Sequence, residues 1–175
     1  ISPSDDVEAR AAVAAAAEYV GPVYLRFGRL AAPVINDNPD YKFELGKGIV
    51  LREGTDVTLV ATGLMVGYTL EAAEMLAKEG VNAKVINIHT IKPIDEDLLV
   101  AAAKETGKVV TIEEHSVIGG LGGAVCEVLS EKCPVPVKRI GVYDEFGQSG
   151  PATELLHYYK LDAEGIYGQI KDFLK

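Results

Sequence analysis

Short apolar runs alternate with helical patterns along most of this chain, and that alternation limits the fold more than any other feature. The run from Val57 to Thr62 has the length and composition of a buried strand, and an amphipathic helical pattern follows from Met65 to Lys78. The same order recurs toward the end of the chain. Because parallel strands are joined through helices that cover the sheet, we predict an α/β fold with a mainly parallel sheet covered on both faces.

The remaining predicted elements follow the same alternation. Further strands are expected at Lys47 to Arg52 (an edge strand), Ala83 to Ile88, Val109 to Glu113 and Val137 to Gly141, and further helices from Asp95 to Lys104 and at Gly122 to Glu131, Thr153 to Tyr159 and Ala163 to Leu174. Asp95 is expected to cap its helix, because its carboxylate can accept a backbone N–H of the first turn.

Residues 1–35 do not complete a domain by themselves. Asp5 to Tyr19 is an Ala-rich helical pattern with Ser4 as the expected N-cap, and Val23 to Phe27 is an expected short strand. One helix and one strand cannot bury both faces of a sheet, and the chain starts at Ile1 without an initiator Met. We therefore expect this stretch to end a domain that begins before residue 1, with a linker rich in Pro, Asn, Asp and Gly at 36–46.

The composition argues against several classes of protein. A net charge of −9 over 175 residues disfavours a broad surface for nucleic acid. The apolar runs are far shorter than the roughly twenty residues of a membrane span, and no basic-then-apolar leader is visible. We therefore predict a cytoplasmic protein without a membrane segment.

The two cysteines are not expected to form a disulfide. On one helix, Cys126 and Cys133 would be about 10 Å apart, which is too far for that bond. Cys and His show no zinc-binding spacing.

Glycine-rich turns follow two of the predicted strands, but neither matches a nucleotide-binding motif. Counted from Gly120, the dinucleotide pattern Gly-x-Gly-x-x-Gly requires a glycine at position 125, which is Val125, and no P-loop string occurs. The turn at Thr62-Gly63 lacks the acid that would bind a ribose about twenty residues later. We interpret the glycines of the second turn as sites of close packing: they are Gly119, Gly120, Gly122 and Gly123.

The strand end at Glu113, Glu114 and His115 carries groups that can act in acid–base catalysis. Acids at such a strand end commonly cap a helix or join an interface pair, and we favour that structural interpretation here. His89, at the end of another strand, is likewise interpreted as a hydrogen-bonded structural histidine.

Six segments, taken in order, resemble the C-terminal part of transketolases and together span nearly the whole chain. They are Gly21-Pro-Val-Tyr-Leu-Arg-Phe-Gly-Arg29, Lys47-Gly-Ile-Val50, Val60-Ala-Thr-Gly63, Ile91-Lys-Pro-Ile-Asp95, Glu113-Glu-His-Ser-Val-Ile-Gly-Gly-Leu-Gly-Gly123 and Phe146-Gly-Gln-Ser-Gly150. Deoxyxylulose-phosphate synthase and the β subunit of 2-oxo-acid dehydrogenases share the Lys-Pro-Ile-Asp and Glu-Glu elements. The segment from Phe146 to Gly150 resembles transketolase more than either.

The resemblance implies that the chain is one part of a larger enzyme. Residues 1–35 correspond to the end of a pyrimidine-binding domain, 36–46 to a linker, and 47–175 to a C-terminal domain with a three-layer sheet, one antiparallel edge strand and a role in dimer assembly. The complete enzyme of the pentose phosphate pathway moves a two-carbon ketol unit between sugar phosphates, using thiamine diphosphate and a divalent metal such as Mg²⁺. The Gly-Asp-Gly motif and the activating Glu are expected in the preceding part or subunit, so we expect this chain alone to bind no cofactor and to be inactive.

Arg29 is the one substrate-binding residue that the resemblance carries over. It is the second Arg of Leu25-Arg-Phe-Gly-Arg29 and matches the family position that binds the phosphate of the sugar. Its planar guanidinium also suits a pair of phosphate oxygens. The alternative for Arg29 is a surface salt bridge. Arg26 is interpreted as a structural residue.

Two other functions of the chain stay open. It could be part of another thiamine diphosphate enzyme, or a non-enzymatic module that binds a partner or a small anion.

Overall fold

Five strands form one sheet in a computed structural model that describes residues 1–175. The strands are β1 (Ile49–Arg52), β2 (Val57–Ala61), β3 (Ala83–Asn87), β4 (Val109–Ser116) and β5 (Val137–Val142). Their order across the sheet is β1-β3-β2-β4-β5, with β1 antiparallel to β3 and every other pair parallel. The predicted mainly parallel sheet with one antiparallel edge strand is confirmed.

Six helices accompany the sheet and cover both of its faces. They are α1 (Asp6–Glu18), α2 (Met65–Lys78), α3 (Glu96–Thr106), α4 (Leu121–Lys132), α5 (Ala152–Tyr158) and α6 (Ala163–Leu174). The helices α2, α5 and α6 pack on one face, whereas α3 and α4 pack on the other. Because β2 and β3 are covered on both sides, every residue in them is buried. None of the six helices combines the length and the hydrophobicity that a membrane span requires.

The predicted bounds of the elements agree closely with the structure. The ranges of α2 and α6 are confirmed, and β4 extends to Ser116 because that residue pairs with Val142 of β5. Asp95 caps α3 as predicted, accepting the backbone N–H of Leu98 at 3.2 Å. Its other oxygen accepts the N–H of Gly48 at 3.1 Å, so the same carboxylate also fixes the chain that enters β1.

The predicted strand at Val23 to Phe27 is wrong. This segment makes only two backbone hydrogen bonds, both with Ile1: the amino group of Ile1 donates to the Tyr24 carbonyl at 2.8 Å, and the Arg26 N–H donates to the Ile1 carbonyl at 2.9 Å. A strand needs a neighbour along its length, and one residue does not provide it.

The predicted N-cap of α1 is also wrong by one residue. Asp5, not Ser4, caps this helix and accepts the backbone N–H of Glu8 at 2.8 Å. The second Asp5 oxygen accepts the N–H groups of Ile35 and Asn36, both at 2.7 Å. Asp5 is therefore the better cap, because it also binds the distant segment that lies beside α1.

Candidate functional site at the carboxyl edge of the sheet

The crevice of an open α/β sheet forms where neighbouring strands send their helices to opposite faces. Here that point lies between β2 and β4, because α2 packs on one face and α4 on the other. The N-terminal segment of the chain lies over this edge. The Gly63 N–H, just after β2, donates to the Ser2 carbonyl at 3.2 Å.

Arg26 connects the N-terminal segment to the end of β4. One guanidinium nitrogen donates to Glu114 Oε1 at 2.9 Å, and another donates to Ser2 Oγ at 2.8 Å. The Arg26 and Glu114 side chains are only 25% and 20% exposed. A Cβ at Gly63 would lie 2.6 Å from Ser2 Oγ, so a glycine is needed for this close approach. Arg26 therefore has the structural role that the sequence indicated, but the sequence did not indicate its partners.

Arg29 lies three residues further along and is exposed. None of the nine ion pairs of the structure includes it. It lines a groove of about 310 Å³ together with Glu114, Gln148 and Tyr159. Because Glu114 is already paired with Arg26, the guanidinium of Arg29 has no protein carboxylate to neutralise it and is available to an anion.

The loop from Phe146 to Gly150 borders the same groove. The Gln148 N–H donates to the Tyr159 hydroxyl at 3.0 Å, which fixes the loop against the end of α5. Phe146 itself is 97% exposed. The structure thus brings the loop and Arg29, separated by more than one hundred residues of sequence, to one side of the sheet edge.

Glu113 caps α4 rather than facing the groove. It is buried, and its two oxygens accept the N–H groups of Leu121 at 2.9 Å and Gly122 at 2.8 Å. Burial raises the pKa of Glu113, and these two N–H groups oppose that shift. Burial also lowers the pKa of the half-buried His115. Since both Glu113 oxygens are engaged by the helix, the geometry favours the structural interpretation over acid–base catalysis.

A second polar cluster, which sequence reasoning missed, joins α1 to the end of β3. Glu8 is fully buried and accepts hydrogen bonds from the Tyr41 hydroxyl at 2.9 Å, from Asn87 Nδ2 at 2.9 Å and from Ser4 Oγ at 2.8 Å. The only signal in the sequence was the spacing of Asp5 and Glu8, which is that of a capping box. All of these partners belong to the chain itself, so the cluster attaches the N-terminal segment to the sheet.

His89 is buried close to that cluster. Its Nδ1 atom lies 2.8 Å from Thr90 Oγ1, and its ring centroid lies 4.3 Å from that of Phe43. Burial lowers the pKa of His89, and the nearby Glu8 carboxylate opposes the shift. Its Nε2 atom is buried without a hydrogen-bond partner, so only one of the two ring nitrogens has the hydrogen bond predicted for a structural histidine.

Two features that could hold the diphosphate and metal of thiamine diphosphate are not found among these residues. The sequence contains no Gly-Asp-Gly motif, and no three His, Cys, Asp or Glu side chains are close enough to hold a metal ion. No step of a cofactor reaction is therefore assigned to them. Cys126 and Cys133 are free thiols.

The chain folds as an α/β domain with a crevice at the carboxyl edge of its sheet. A preceding segment of the same chain lies over this edge, and the unpaired Arg29 lies beside it. The profile of the family described as "Transketolase, C-terminal domain" matches residues 46–166. The chain belongs to the transketolase family.

Relatives support this assignment over the whole chain. A 6-deoxy-6-sulfo-D-fructose transketolase subunit of a Clostridium species is 48% identical over 94% of this chain and 51% of that protein. One of the subunits of an apulose-4-phosphate transketolase from Phocaeicola vulgatus is 42% identical over 100% of this chain and 56% of its own length. The chain thus spans about half the length of these curated relatives.

Solved structures agree with the fold. A split-gene transketolase, described as an inactive β4 tetramer, is 52% identical with a TM-score of 0.93, over 98% of this chain and 56% of that chain. A transketolase mutant from Pichia stipitis is 22% identical with a TM-score of 0.75, over 98% of this chain and 24% of its own. That second likeness concerns the fold alone.

Proposed function

We propose that this chain is the C-terminal part of a transketolase that transfers a two-carbon ketol unit between sugar phosphates. The observation that carries this proposal is the similarity to separate transketolase subunits or sections, of which this chain spans about half the length. One of them, a putative transketolase C-terminal section from Methanocaldococcus jannaschii, is 44% identical over 100% of this chain. The N-terminal part or subunit supplies the sites for thiamine diphosphate and Mg²⁺.

The division of the chain belongs to the same proposal. Residues 1–35 end the pyrimidine-binding domain, 36–46 form a linker, and 47–175 form the C-terminal domain. The polar contacts of Asp5, Glu8 and Arg26 support this division, since they attach the first segment to the sheet rather than extend the sheet itself. A homodimer, a cytoplasmic location and a place in the pentose phosphate pathway complete the proposal.

Arg29 is proposed to bind the phosphate of the substrate. Its exposure, its lack of an ion-pair partner and its position in the groove support this role, because a charge-assisted contact needs a free guanidinium. The names of two relatives point the same way, since one names a sulfo sugar and the other a sugar phosphate. Both substituents are tetrahedral anions that a guanidinium fork can bind.

Reconstitution tests the main proposal. The chain should neither bind thiamine diphosphate nor transfer ketol units alone, and it should do both when combined with the N-terminal part encoded beside it or ahead of it. Titration calorimetry and a ketol-transfer assay measure the two properties. Saturable cofactor binding by the isolated chain at micromolar affinity, or an inactive reconstituted complex, would show that the assignment is wrong.

A second enzyme function has specific support. A 1-deoxy-D-xylulose-5-phosphate synthase from Heliobacterium modesticaldum is 40% identical over 95% of this chain and 26% of that protein. The same reconstituted complex distinguishes the two functions, because formation of deoxyxylulose phosphate without ketol transfer between sugars would replace the transketolase proposal by this one. Absence of both activities would leave an assembly or anion-binding module.

A further inference from the structure

We infer that Arg26 is a positioning residue for phosphate binding: by holding Glu114 in an ion pair, it prevents that carboxylate from capturing Arg29. The inference rests on the proposed phosphate-binding role of Arg29. Arg26 acts through Glu114 and does not itself contact the substrate.

The first step of the argument is the proximity of Glu114 to the segment that carries Arg29. Glu114 and Arg29 line the same groove, and a Cβ placed on Gly28, the residue before Arg29, would lie 4.0 Å from Glu114 Oε1. Glu114 thus lies next to the backbone that carries Arg29, and an unpaired carboxylate in the groove would attract the exposed guanidinium. A phosphate that approaches Arg29 would then have to displace Glu114.

The second step of the argument is the strength of the ion pair between Arg26 and Glu114. Their 2.9 Å hydrogen bond joins side chains that are at least three-quarters buried, so water screens the pair less than it screens an exposed one. Arg26 is in turn fixed by Ser2 Oγ at 2.8 Å and by its own N–H, which donates to the Ile1 carbonyl. Glu114 therefore stays turned toward Arg26.

The third step is the weak backbone support of the segment from Val23 to Arg29. Its two backbone hydrogen bonds are both with Ile1, and it contains no helix or strand. Such a segment can shift when a charge nearby is left unpaired. Removing Arg26 alone should therefore be more harmful than removing Arg26 and the Glu114 charge together.

The test compares Arg26→Ala with the double variant Arg26→Ala/Glu114→Gln in the complete enzyme. KM and kcat are measured with an aldopentose phosphate and with the same aldopentose lacking its phosphate. Arg26→Ala should raise KM for the phosphorylated sugar about tenfold, the effect of roughly 1.4 kcal/mol, and should leave kcat and the unphosphorylated sugar little changed. The double variant should recover most of that loss.

Two further variants complete the experiment. Arg29→Ala reports whether the phosphate contact exists at all. Glu105→Gln is the matched control, because Glu105 pairs with Lys84 at 2.6 Å near the amino end of β3, away from the groove. It should leave both KM values unchanged, and thermal unfolding of every variant measures any general loss of stability.

Recovery of phosphate selectivity in the double variant, beside a selective loss in Arg29→Ala, supports the inference. A double variant as weak as Arg26→Ala or weaker overturns it, because neutralising Glu114 should then release Arg29. Recovery of thermal stability in the double variant without recovery of KM for the phosphorylated sugar overturns it too, since that is the behaviour of a purely structural ion pair. Equal losses on both sugars overturn it as well. If Arg29→Ala causes no selective loss of affinity for the phosphorylated sugar, the proposed phosphate contact is wrong and the positioning role fails with it. If Arg29→Ala causes that loss but Arg26→Ala does not, only the positioning role is wrong.

Discussion

Glu113 and Gly120 approach each other so closely that no side chain fits at position 120. A Cβ placed on Gly120 would overlap Glu113 Oε2 and would lie 2.8 Å from the carboxyl carbon of Glu113. This contact exists because the Glu113 carboxylate accepts the first N–H groups of α4 and must lie directly against the start of that helix. The glycine therefore allows an acid of β4 to cap the next helix, which is the close-packing role predicted from the sequence. Gly122 is closely packed as well, but the prediction does not hold within the chain at Gly119 and Gly123, where a Cβ would have nothing within 4 Å.

Gly120→Ala should destabilise the protein by about 2 to 4 kcal/mol, because the new methyl group would displace the Glu113 carboxylate and leave it buried without its N–H partners. Gly123→Ala is the control, since Gly123 is inside α4 and a Cβ placed there would have nothing within 4 Å. That control should be neutral or more stable by up to about 1 kcal/mol. Urea unfolding measures both, and equal effects at the two positions would contradict the prediction.

Asp95→Ala should lower the free energy of unfolding by about 1 to 2 kcal/mol, because it removes the N-cap of α3. Asp95→Asn should lose much less, since an amide oxygen can still accept the Leu98 N–H. Chemical denaturation of the two variants distinguishes the cap from the charge. If Asp95→Asn were as unstable as Asp95→Ala, the cap would not be the dominant contribution. The loss would then come from the second oxygen, which accepts the Gly48 N–H, or from the charge interaction with Lys47, 3.8 Å away.

His89 should make the protein less stable in mild acid. Burial lowers the pKa of His89 in the folded state below the ordinary value of about 6.5, so the unfolded chain binds the proton more readily. The stability linked to neutral His89 is complete above about pH 6.5 and is lost as the pH falls toward the lowered folded pKa, by at most about 1.4 kcal/mol per pH unit.

The variant His89→Gln isolates this contribution from those of the other titratable groups. It should be less stable than the wild type at neutral pH, because it loses the contact with Phe43, but its stability should fall less steeply between about pH 6.5 and pH 5. Denaturation at a series of pH values gives both curves. Parallel curves would mean that His89 does not titrate differently on unfolding.

The elements that were predicted well are those whose signals are local. The helix α2 was placed to the residue by its periodicity and by the glycine that follows it, and Asp95 was recognised as a cap from its position before an apolar pattern. Ser4 and Asp5 are both good caps by type. The structure uses Asp5 because of N–H groups thirty residues away, which no local pattern contains.

The errors and omissions concern contacts that are distant in the sequence. The segment from Val23 to Phe27 has the composition of a strand, but a strand forms only beside a neighbouring strand. The backbone of this segment forms hydrogen bonds only with Ile1. The pair of Arg26 and Glu114 joins residues 88 positions apart. Arg29 was found because a motif resemblance marked its position, whereas the groove that surrounds it depends on the packing of α5 and the loop before it.

Arg29→Ala tests the proposed substrate contact in the complete enzyme. It should raise KM for phosphorylated sugars by an amount that corresponds to about 1.5 to 3 kcal/mol, the usual contribution of a hydrogen bond to a charged group. Activity toward unphosphorylated acceptors should change little, because only the phosphate contact is removed. Steady-state kinetics on a phosphorylated sugar and its unphosphorylated counterpart measure both effects.

The comparison of the two substrates also controls for folding, since a misfolded variant would lose activity toward both alike. Arg29→Lys keeps the charge but not the planar fork, so it should recover part of the affinity and not all of it. Arg29 is exposed and unpaired in the structure, so neither substitution should change the free energy of unfolding by more than about 0.5 kcal/mol. Equal losses on both sugars, or no loss on either, would reject Arg29 as the phosphate contact and leave it a surface residue of the segment that joins α1 to the sheet.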